Sequence, residues 1–191
     1  IIAALAIQMK ADGRLDGDAA VVTVMSNLGF FRCCEANGVK PVATKVGDRY
    51  VLEEMREHGY KIGGEQSGHI IFLDHATTGD GQLSAVKLLS LCREKGQKLS
   101  RVASVMERYP QVLINVRADA QQKARYAADQ ALADYISGAN DSLGRDGRVL
   151  VRVSGTEPLL RVMVEGRDFD EINRCAVEIA ERIKASIAAE E

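Results

Sequence analysis

Residues 19–25 read Ala-Ala-Val-Val-Thr-Val-Met, an unbroken run of apolar and β-branched residues. A run that offers no polar face is typical of a strand buried inside a parallel sheet. A helical pattern follows directly, with Asn27 as a possible cap, an apolar stripe through Glu35 and a stop at Gly38. The sequence therefore predicts a β-strand followed by an α-helix at the centre of an α/β layer.

The same alternation continues to about residue 108. The predicted elements are a strand over 41–46, a helix capped by Asp48 and stopped by Gly59, a strand over 70–73, and helices over 82–95 and 100–108. This series predicts a doubly wound α/β domain with a mostly parallel sheet. The chain has no initial Met and opens inside a helical apolar pattern, so we expect it to be a fragment of a longer protein.

After Pro110 the pattern changes. The predicted elements are a strand over 112–116, an Ala-rich helix over 120–137, two strands around residues 152–161 and an amphipathic helix over 169–189. This order predicts a smaller α+β domain, an antiparallel sheet with two helices on one face. We place the domains at 1–109 and 110–191 and expect a hinge near 108–112.

Composition narrows the function classes. The 191 residues are 46% hydrophobic and 27% charged, which is ordinary for a globular protein. A net charge of −2 argues against a nucleic-acid partner, and no apolar run approaches the roughly 20 residues that span a membrane. The four cysteines form no C-x-x-C motif. We expect reduced thiols in a cytoplasmic protein without a signal peptide.

Residues 152–161 read Arg-Val-Ser-Gly-Thr-Glu-Pro-Leu-Leu-Arg, a polar loop between two apolar strands. The guanidinium groups of Arg152 and Arg161 are suited to bidentate contact with a phosphate monoester. Ser154 and Thr156 add hydroxyl donors, and Gly155 lets backbone N–H groups approach a ligand. The alternative is a β-hairpin with a polar tip and surface arginines.

Residues 63–69 read Gly-Gly-Glu-Gln-Ser-Gly-His. Glu65 and Ser67 offer groups that pair with vicinal sugar hydroxyls, and the glycines allow the chain to fold around a ring. His69 is either a ligand-facing donor or a histidine satisfied by a backbone partner at a strand start. Lys45 follows the second strand, at the edge where open α/β sheets bind ligands. The alternative is an ordinary polar loop.

Together the two loops resemble the α-D-phosphohexomutase superfamily. That family carries a G-G-E-x-S-G-H sugar loop in its third domain and an R-x-S-[NG]-T-E-P phosphate loop in its fourth. Gln66, Gly155 and residues 44–51 resemble the branch that acts on glucosamine phosphates. The resemblance implies that the substrate is bound by the residues that match the two loops and by Lys45. The matching residues are Glu65, Ser67, His69, Arg152, Ser154, Gly155, Thr156 and Arg161.

The resemblance also implies an isomerase that interconverts glucosamine 6-phosphate and glucosamine 1-phosphate through a phosphoserine, a bisphosphate intermediate and Mg²⁺. The family's serine and metal loops belong to its first two domains and are not found here. We therefore predict a specificity half that is inactive alone, has no catalytic or metal residue, and depends on the N-terminal domains of the same protein. The cofactor Mg²⁺ would bind outside this chain, and a homodimer is possible.

Two features have more than one interpretation: the segment over residues 16–18 and the function itself. Asp16-Gly17-Asp18 looks like the beginning of the family's D-G-D-x-D-R metal loop, but Ala19 and Ala20 follow, so we predict a turn. The nearest competing function is a phosphoglucomutase or phosphomannomutase of the same superfamily. A non-catalytic phosphosugar-binding module, or a structural domain with idle loops, would use the same strands.

Overall fold

Two separate sheets organise the chain. The computed structural model describes residues 1–188, and the chain divides into the units Ile1–Arg108 and Tyr109–Glu191. The first unit contains a four-stranded sheet and the second a three-stranded sheet. Each unit has its own apolar core.

The sheet of the first unit is mostly parallel. Its strands are β1 (Ala19–Thr23), β2 (Lys40–Thr44), β3 (Ile62–Gly64) and β4 (Ile70–Phe72), in the order β2-β1-β3-β4. β1 pairs in parallel with β2 and β3, whereas β4 is antiparallel to β3. Every residue of β1 is buried, which explains why its sequence is apolar on both faces.

Helices cover both faces of this sheet. They are α1 (Ile2–Ala11), α2 (Leu28–Ala36), α3 (Asp48–His58), α4 (Gly81–Lys95) and α5 (Leu99–Ala103). Ala20 and Val22 of β1 pack into the core that includes α1 and α2. Ala19 and Val21 point the other way, into the core that includes α3. This arrangement confirms the predicted doubly wound α/β layer.

Helix boundaries follow local capping chemistry, with two corrections. Asn27 accepts from the Gly29 N–H at 3.0 Å and caps α2, as predicted. The predicted cap at Asp48 is wrong, because Asp48 is the first helical residue and its carboxylate accepts from the Arg49 N–H at 2.8 Å. α5 ends at Ala103 rather than at residue 108. There the Ser104 hydroxyl donates to the Arg101 carbonyl at 3.0 Å, which competes with helix continuation.

The sheet of the second unit is antiparallel. Its strands are β5 (Gln111–Arg117), β6 (Gly147–Val153) and β7 (Leu159–Gly166), with β7 in the centre. The helices are α6 (Ala120–Ala128), α7 (Gln130–Ser142) and α8 (Phe169–Ile187), and all three contribute to the core on one face of the sheet. The predicted end of the last helix at residue 189 lies outside the described residues.

The single helix predicted over 120–137 is two helices, so three helices rather than two cover the sheet. The break lies at Asp129, whose ψ of 92° is extended rather than helical. Its carboxylate caps α7 by accepting from the Leu132 N–H at 2.9 Å, and it also accepts from the Ser186 hydroxyl of α8 at 2.5 Å. A side chain that can replace the backbone acceptor thus interrupts an otherwise helical run.

The strand register decides which side chains of this sheet face away from the helices. Leu160, Val162 and Val164 of β7 are fully buried against the helices. Because side chains alternate along a strand, Arg161 and Glu165 lie on the opposite face. Glu165 is buried there and accepts from Nε of Arg148 at 2.6 Å. The face away from the helices therefore carries charged side chains, of which Arg148 and Glu165 pair within the sheet.

Two predictions concerned the environment of the protein: that its cysteines are reduced thiols and that no segment spans a membrane. All four cysteines are free, and burial raises the pKa of Cys33 and Cys175 and raises the pKa of Cys34 to about 12. These three thiols therefore stay protonated at neutral pH. Within residues 1–188, none of the helices combines the length and apolar character that crossing a membrane requires.

Gly64→Ala should destabilise the first unit, because a Cβ at Gly64 would lie 2.1 Å from the His69 carbonyl oxygen. We expect a loss of about 2 kcal/mol in the free energy of unfolding. Faster amide hydrogen exchange at Val21 and Val22 would report it. Gly81→Ala is the matched control, since a Cβ there meets open space. Equal exchange in both variants would contradict the role assigned to Gly64.

Candidate functional site

The first candidate loop is the tight connection between β3 and β4. Residues 65–69 form it, and the Glu65 N–H donates to the His69 carbonyl at 2.8 Å. Gly63 and Gly64 belong to β3 and are buried, so the prediction that they fold around a ligand ring is wrong. A Cβ at Gly63 would lie 2.6 Å from the Met55 sulfur. These two glycines permit close packing of the hairpin instead.

Glu65 links this loop to the loop that follows β2. Its side chain is 14% exposed, and its Oε1 accepts from the Gly47 N–H at 3.0 Å. Gly47 occupies the cap position of α3, where the helix dipole favours a negative group. The other carboxylate oxygen lies 3.9 Å from Nδ1 of His69. The fold thus brings Glu65 beside the segment that carries Lys45.

The other predicted sugar-loop residues are exposed. Ser67 and Lys45 lie at the surface, and the Lys45 ammonium is 6.0 Å from the centre of the Tyr50 ring. The His69 side chain is 60% exposed. The exposed imidazole lies near the Glu65 carboxylate, and its choice between a ligand-facing role and a backbone partner stays a prediction. These side chains are available to a ligand that approaches from solvent.

A cavity of about 410 Å³ lies within the first unit, at the ends of β1 and β3. Glu65, Gln66 and Gly68 form one part of its wall, and Ser26 and Asn27 another. Its volume falls in the range of small-molecule sites. Lys45, Ser67 and His69 are not among the residues that line it.

The second candidate loop, residues 154–158, connects β6 to β7. Arg152 and Arg161 are direct partners in the ladder between these strands, so both side chains stand on the face of the sheet away from the helices. Arg161 bonds to the Glu157 carboxylate, and the buried Nε of Arg152 has no partner within residues 1–188. Two like charges in directly opposed positions repel each other. The Glu157 carboxylate offsets the charge of Arg161, and an anion bound between the two arginines would offset both charges.

Inside this loop the polar groups have different tasks. The Ser154 side chain is buried, and its hydroxyl oxygen accepts from the Glu157 N–H at 3.1 Å, which shapes the turn. Gly155 and Thr156 are exposed, and within residues 1–188 their N–H groups donate to no acceptor. A Cβ at Gly155 would meet open space, so the fold itself does not require glycine there. The loop presents unused donors to solvent.

Two residues that lie next to this loop were not predicted from the sequence. The Lys123 ammonium donates to the carbonyls of Ser154 and Glu157, both at 2.7 Å. Asn115 of β5 pairs with Arg161 in the ladder and stands on the same face. No local pattern could have found either residue, because both meet the loop only through the tertiary fold.

The described residues do not fit a Mg²⁺ site. Asp16 and Asp18 lie in a one-turn 3₁₀ helix, as the predicted turn requires. Asp18 is 2.7 Å from Nζ of Lys10, and Asp16 is 3.3 Å from Nζ of Lys61, so lysines already neutralise both carboxylates. Within residues 1–188, one group of three potential metal ligands was found, Glu54, Glu57 and His58. It lies on one mostly exposed helix face, and His58 stacks on Tyr60.

Comparison with known proteins agrees with this architecture. Residues 1–109 match the family model "Phosphoglucomutase/phosphomannomutase, alpha/beta/alpha domain III", and residues 113–182 match "Phosphoglucomutase/phosphomannomutase, C-terminal domain". The chain belongs to the phosphoglucomutase/phosphomannomutase family. Its first unit thus corresponds to domain III of that family and its second to the C-terminal domain.

Relatives within this family include phosphoglucosamine mutases. The chain is 51% identical to that of Thermoanaerobacter sp. (strain X514) over 98% of its own length and 42% of the relative's. It is 50% identical to that of Streptomyces coelicolor over 98% of its own length and 41% of the relative's. The chain thus spans about two fifths of the length of these relatives.

Solved structures show the same fold at low identity. N-acetylphosphoglucosamine mutase from Aspergillus fumigatus superposes with a TM-score of 0.80 at 19% identity, over 98% of this chain and 43% of that one. A phosphoglucomutase/phosphomannomutase family protein from Burkholderia thailandensis superposes with a TM-score of 0.72 at 19% identity, over 96% of this chain and 41% of that one.

Glu65→Ala should release the Gly47 N–H, because it removes the carboxylate that accepts from it. We expect amide exchange at Gly47 to accelerate about tenfold, the effect of losing one charge-assisted hydrogen bond. NMR exchange measurements at Gly47 would test this. Gln66→Ala, which changes the exposed neighbouring residue, is the control. Unchanged protection of Gly47 in the Glu65 variant would refute the link between the loops.

Proposed function

We propose that this chain is the substrate-recognition part of a phosphoglucosamine mutase, an isomerase that interconverts glucosamine 6-phosphate and glucosamine 1-phosphate. The observation that carries the proposal is the pair of opposed guanidinium groups, Arg152 and Arg161, beside unused loop N–H groups. Identity of about 50% to phosphoglucosamine mutases favours glucosamine phosphates over glucose or mannose phosphates.

The second unit binds the phosphate that is not reacting. Arg152 and Arg161 supply planar forks for its oxygens, and the N–H groups of Gly155 and Thr156 supply neutral donors. The Thr156 hydroxyl is exposed and adds a further donor, whereas Ser154 acts mainly by shaping the loop. A phosphate dianion would also neutralise the repulsion between the two arginines.

The first unit binds the sugar. Ser67 and His69 offer exposed hydrogen-bonding groups, and Lys45 adds a positive charge at the end of β2. Glu65 keeps one oxygen on Gly47, so its other oxygen is the one that faces a sugar hydroxyl or His69. These contacts supply binding energy at a distance from the bond being broken, which orients the reacting end.

The reacting end depends on parts of the protein that this chain does not match. A phosphoserine would transfer the phosphoryl group, and Mg²⁺ would stabilise the charge that develops on it. The related enzyme from Aspergillus fumigatus was solved "in complex with GlcNAc-6P and magnesium". We propose that N-terminal domains of the same cytoplasmic protein supply both groups and that the present chain alone is inactive. The proposal also includes a hinge near residues 108–112 and a homodimer.

An NMR titration of the chain with glucosamine 6-phosphate tests this function. We expect shifts at residues 65–69 and 154–161, stronger than those caused by glucose 6-phosphate. Inorganic phosphate should shift only the second loop, because it has no sugar hydroxyls. Equal responses to both sugar esters would favour a glucose or mannose phosphate mutase, and no response at millimolar ligand would contradict the proposal.

Arg161→Ala should weaken binding of glucosamine 6-phosphate about tenfold or more, since it removes a charge-assisted contact to phosphate. Arg174→Ala, on the helix-covered side of the sheet, is the control for removing one exposed arginine from the same unit. The titration above gives both dissociation constants. Equal affinities in the two variants would remove Arg161 from the site.

A further inference from the structure

A short segment of the second unit, residues 118–123, donates hydrogen bonds to carbonyl groups of the loop 154–158. The Lys123 ammonium donates to the carbonyls of Ser154 and Glu157 at 2.7 Å each, and the Ala118 N–H donates to the Pro158 carbonyl at 2.9 Å. Three of the five carbonyls in the loop are therefore bound by residues 118–123. Lys123 is the charged member of this set, and it is partly buried.

We propose that Lys123 is a positioning residue for the phosphate, one that acts through the loop rather than by touching the ligand. This inference rests on the proposed function of the loop. In this proposal, Lys123 determines the direction in which the backbone dipoles of the loop point.

Peptide geometry explains how Lys123 sets that direction. The Ser154 carbonyl and the Gly155 N–H belong to one planar trans peptide unit and point in opposite directions. A lysine that holds the Ser154 oxygen on the inner side therefore turns the Gly155 N–H outward. That N–H is one of the donors without an acceptor within residues 1–188.

The Glu157 carbonyl presents a different problem. It belongs to the peptide before Pro158, which has no N–H to offset the carbonyl dipole. If this oxygen faced a phosphate, it would repel the ligand. This oxygen accepts from the Leu159 N–H at 2.8 Å and from the Lys123 ammonium at 2.7 Å, and the two bonds together hold it away and partly neutralise it. The ammonium group thus turns two negative dipole ends away from the side where the anion binds, the one at Ser154 by its own bond and the one at Glu157 together with the Leu159 N–H.

The first turn of α6, which precedes Lys123, has a fixed backbone conformation. α6 begins with a reciprocal capping box, in which Asp119 and Gln122 exchange side-chain-to-backbone bonds of 2.9 Å. The preceding Ala118 is fully buried. A lysine just beyond a capped first turn starts from a fixed backbone, so less side-chain freedom is lost when it bonds to the loop.

Three variants of the chain test the proposal: Lys123→Met, Lys123→Arg and the control Lys184→Met, which removes an exposed lysine of α8. We expect Lys123→Met to weaken binding of both glucosamine 6-phosphate and inorganic phosphate about tenfold. Lys123→Arg should recover most of that loss, and Lys184→Met should bind like the parent chain. The thermal unfolding temperature of Lys123→Met should stay within about 2 °C of the parent, since one of the two bonds is exposed and the other only partly buried, and neither belongs to the apolar core.

The outcomes separate the proposal from its alternatives. Unchanged phosphate affinity in Lys123→Met overturns it. A loss of affinity matched by a large fall in the unfolding temperature also overturns it, because Lys123 would then serve the fold as a whole. If the parent chain binds inorganic phosphate but shows no preference for the sugar ester, the proposed function fails while the Lys123 comparison stands. If the parent chain binds neither probe, both proposals fail.

Discussion

The antiparallel register of β6 and β7 is the constraint on which the proposed phosphate loop, residues 154–158, depends. It sets Arg152 opposite Arg161, so that two like charges face each other and only Arg161 is bonded to the Glu157 carboxylate. The register is fixed by the other face of the same strand, where Leu160, Val162 and Val164 are buried against the helices. A slip of one residue would exchange these faces and bury the arginines. The apolar core thus holds the two charges together.

A similar relation holds in the first unit between packing and the sugar loop. Gly63 and Gly64 leave room for Met55 and for the His69 carbonyl, so β3 and β4 pack closely and the loop between them is short. The short loop brings the Glu65 carboxylate within 3.0 Å of the Gly47 N–H. Residues that look like a flexible ligand loop in the sequence therefore act partly as a rigid connection between two strand ends.

The sequence predicted what local patterns encode. Unbroken apolar runs located the buried strand β1, and the two quoted motifs located the exposed loops. It failed where a tertiary neighbour decides the outcome. Asp129 breaks a helix with the help of Ser186, which lies 57 residues away, and Lys123 reaches a loop 31 to 34 residues away. Contacts between residues so far apart in the chain produce no periodic sequence pattern. The glycines of β3 were misassigned to the loop because burial, rather than composition, determines their role.

Glu157 shows why a site built for an anion can contain a carboxylate. It bonds to Arg161 in the structure, with the Glu157 side chain 50% exposed and that of Arg161 30% exposed. An ion pair this open to water contributes at most about 1 kcal/mol. Such a pair is strong enough to bias the orientation of the guanidinium group, and in the proposed function it is weak enough to yield to a phosphate dianion that would also contact Arg152 and the loop N–H groups. We therefore propose that the carboxylate orients Arg161 and would not exclude the ligand.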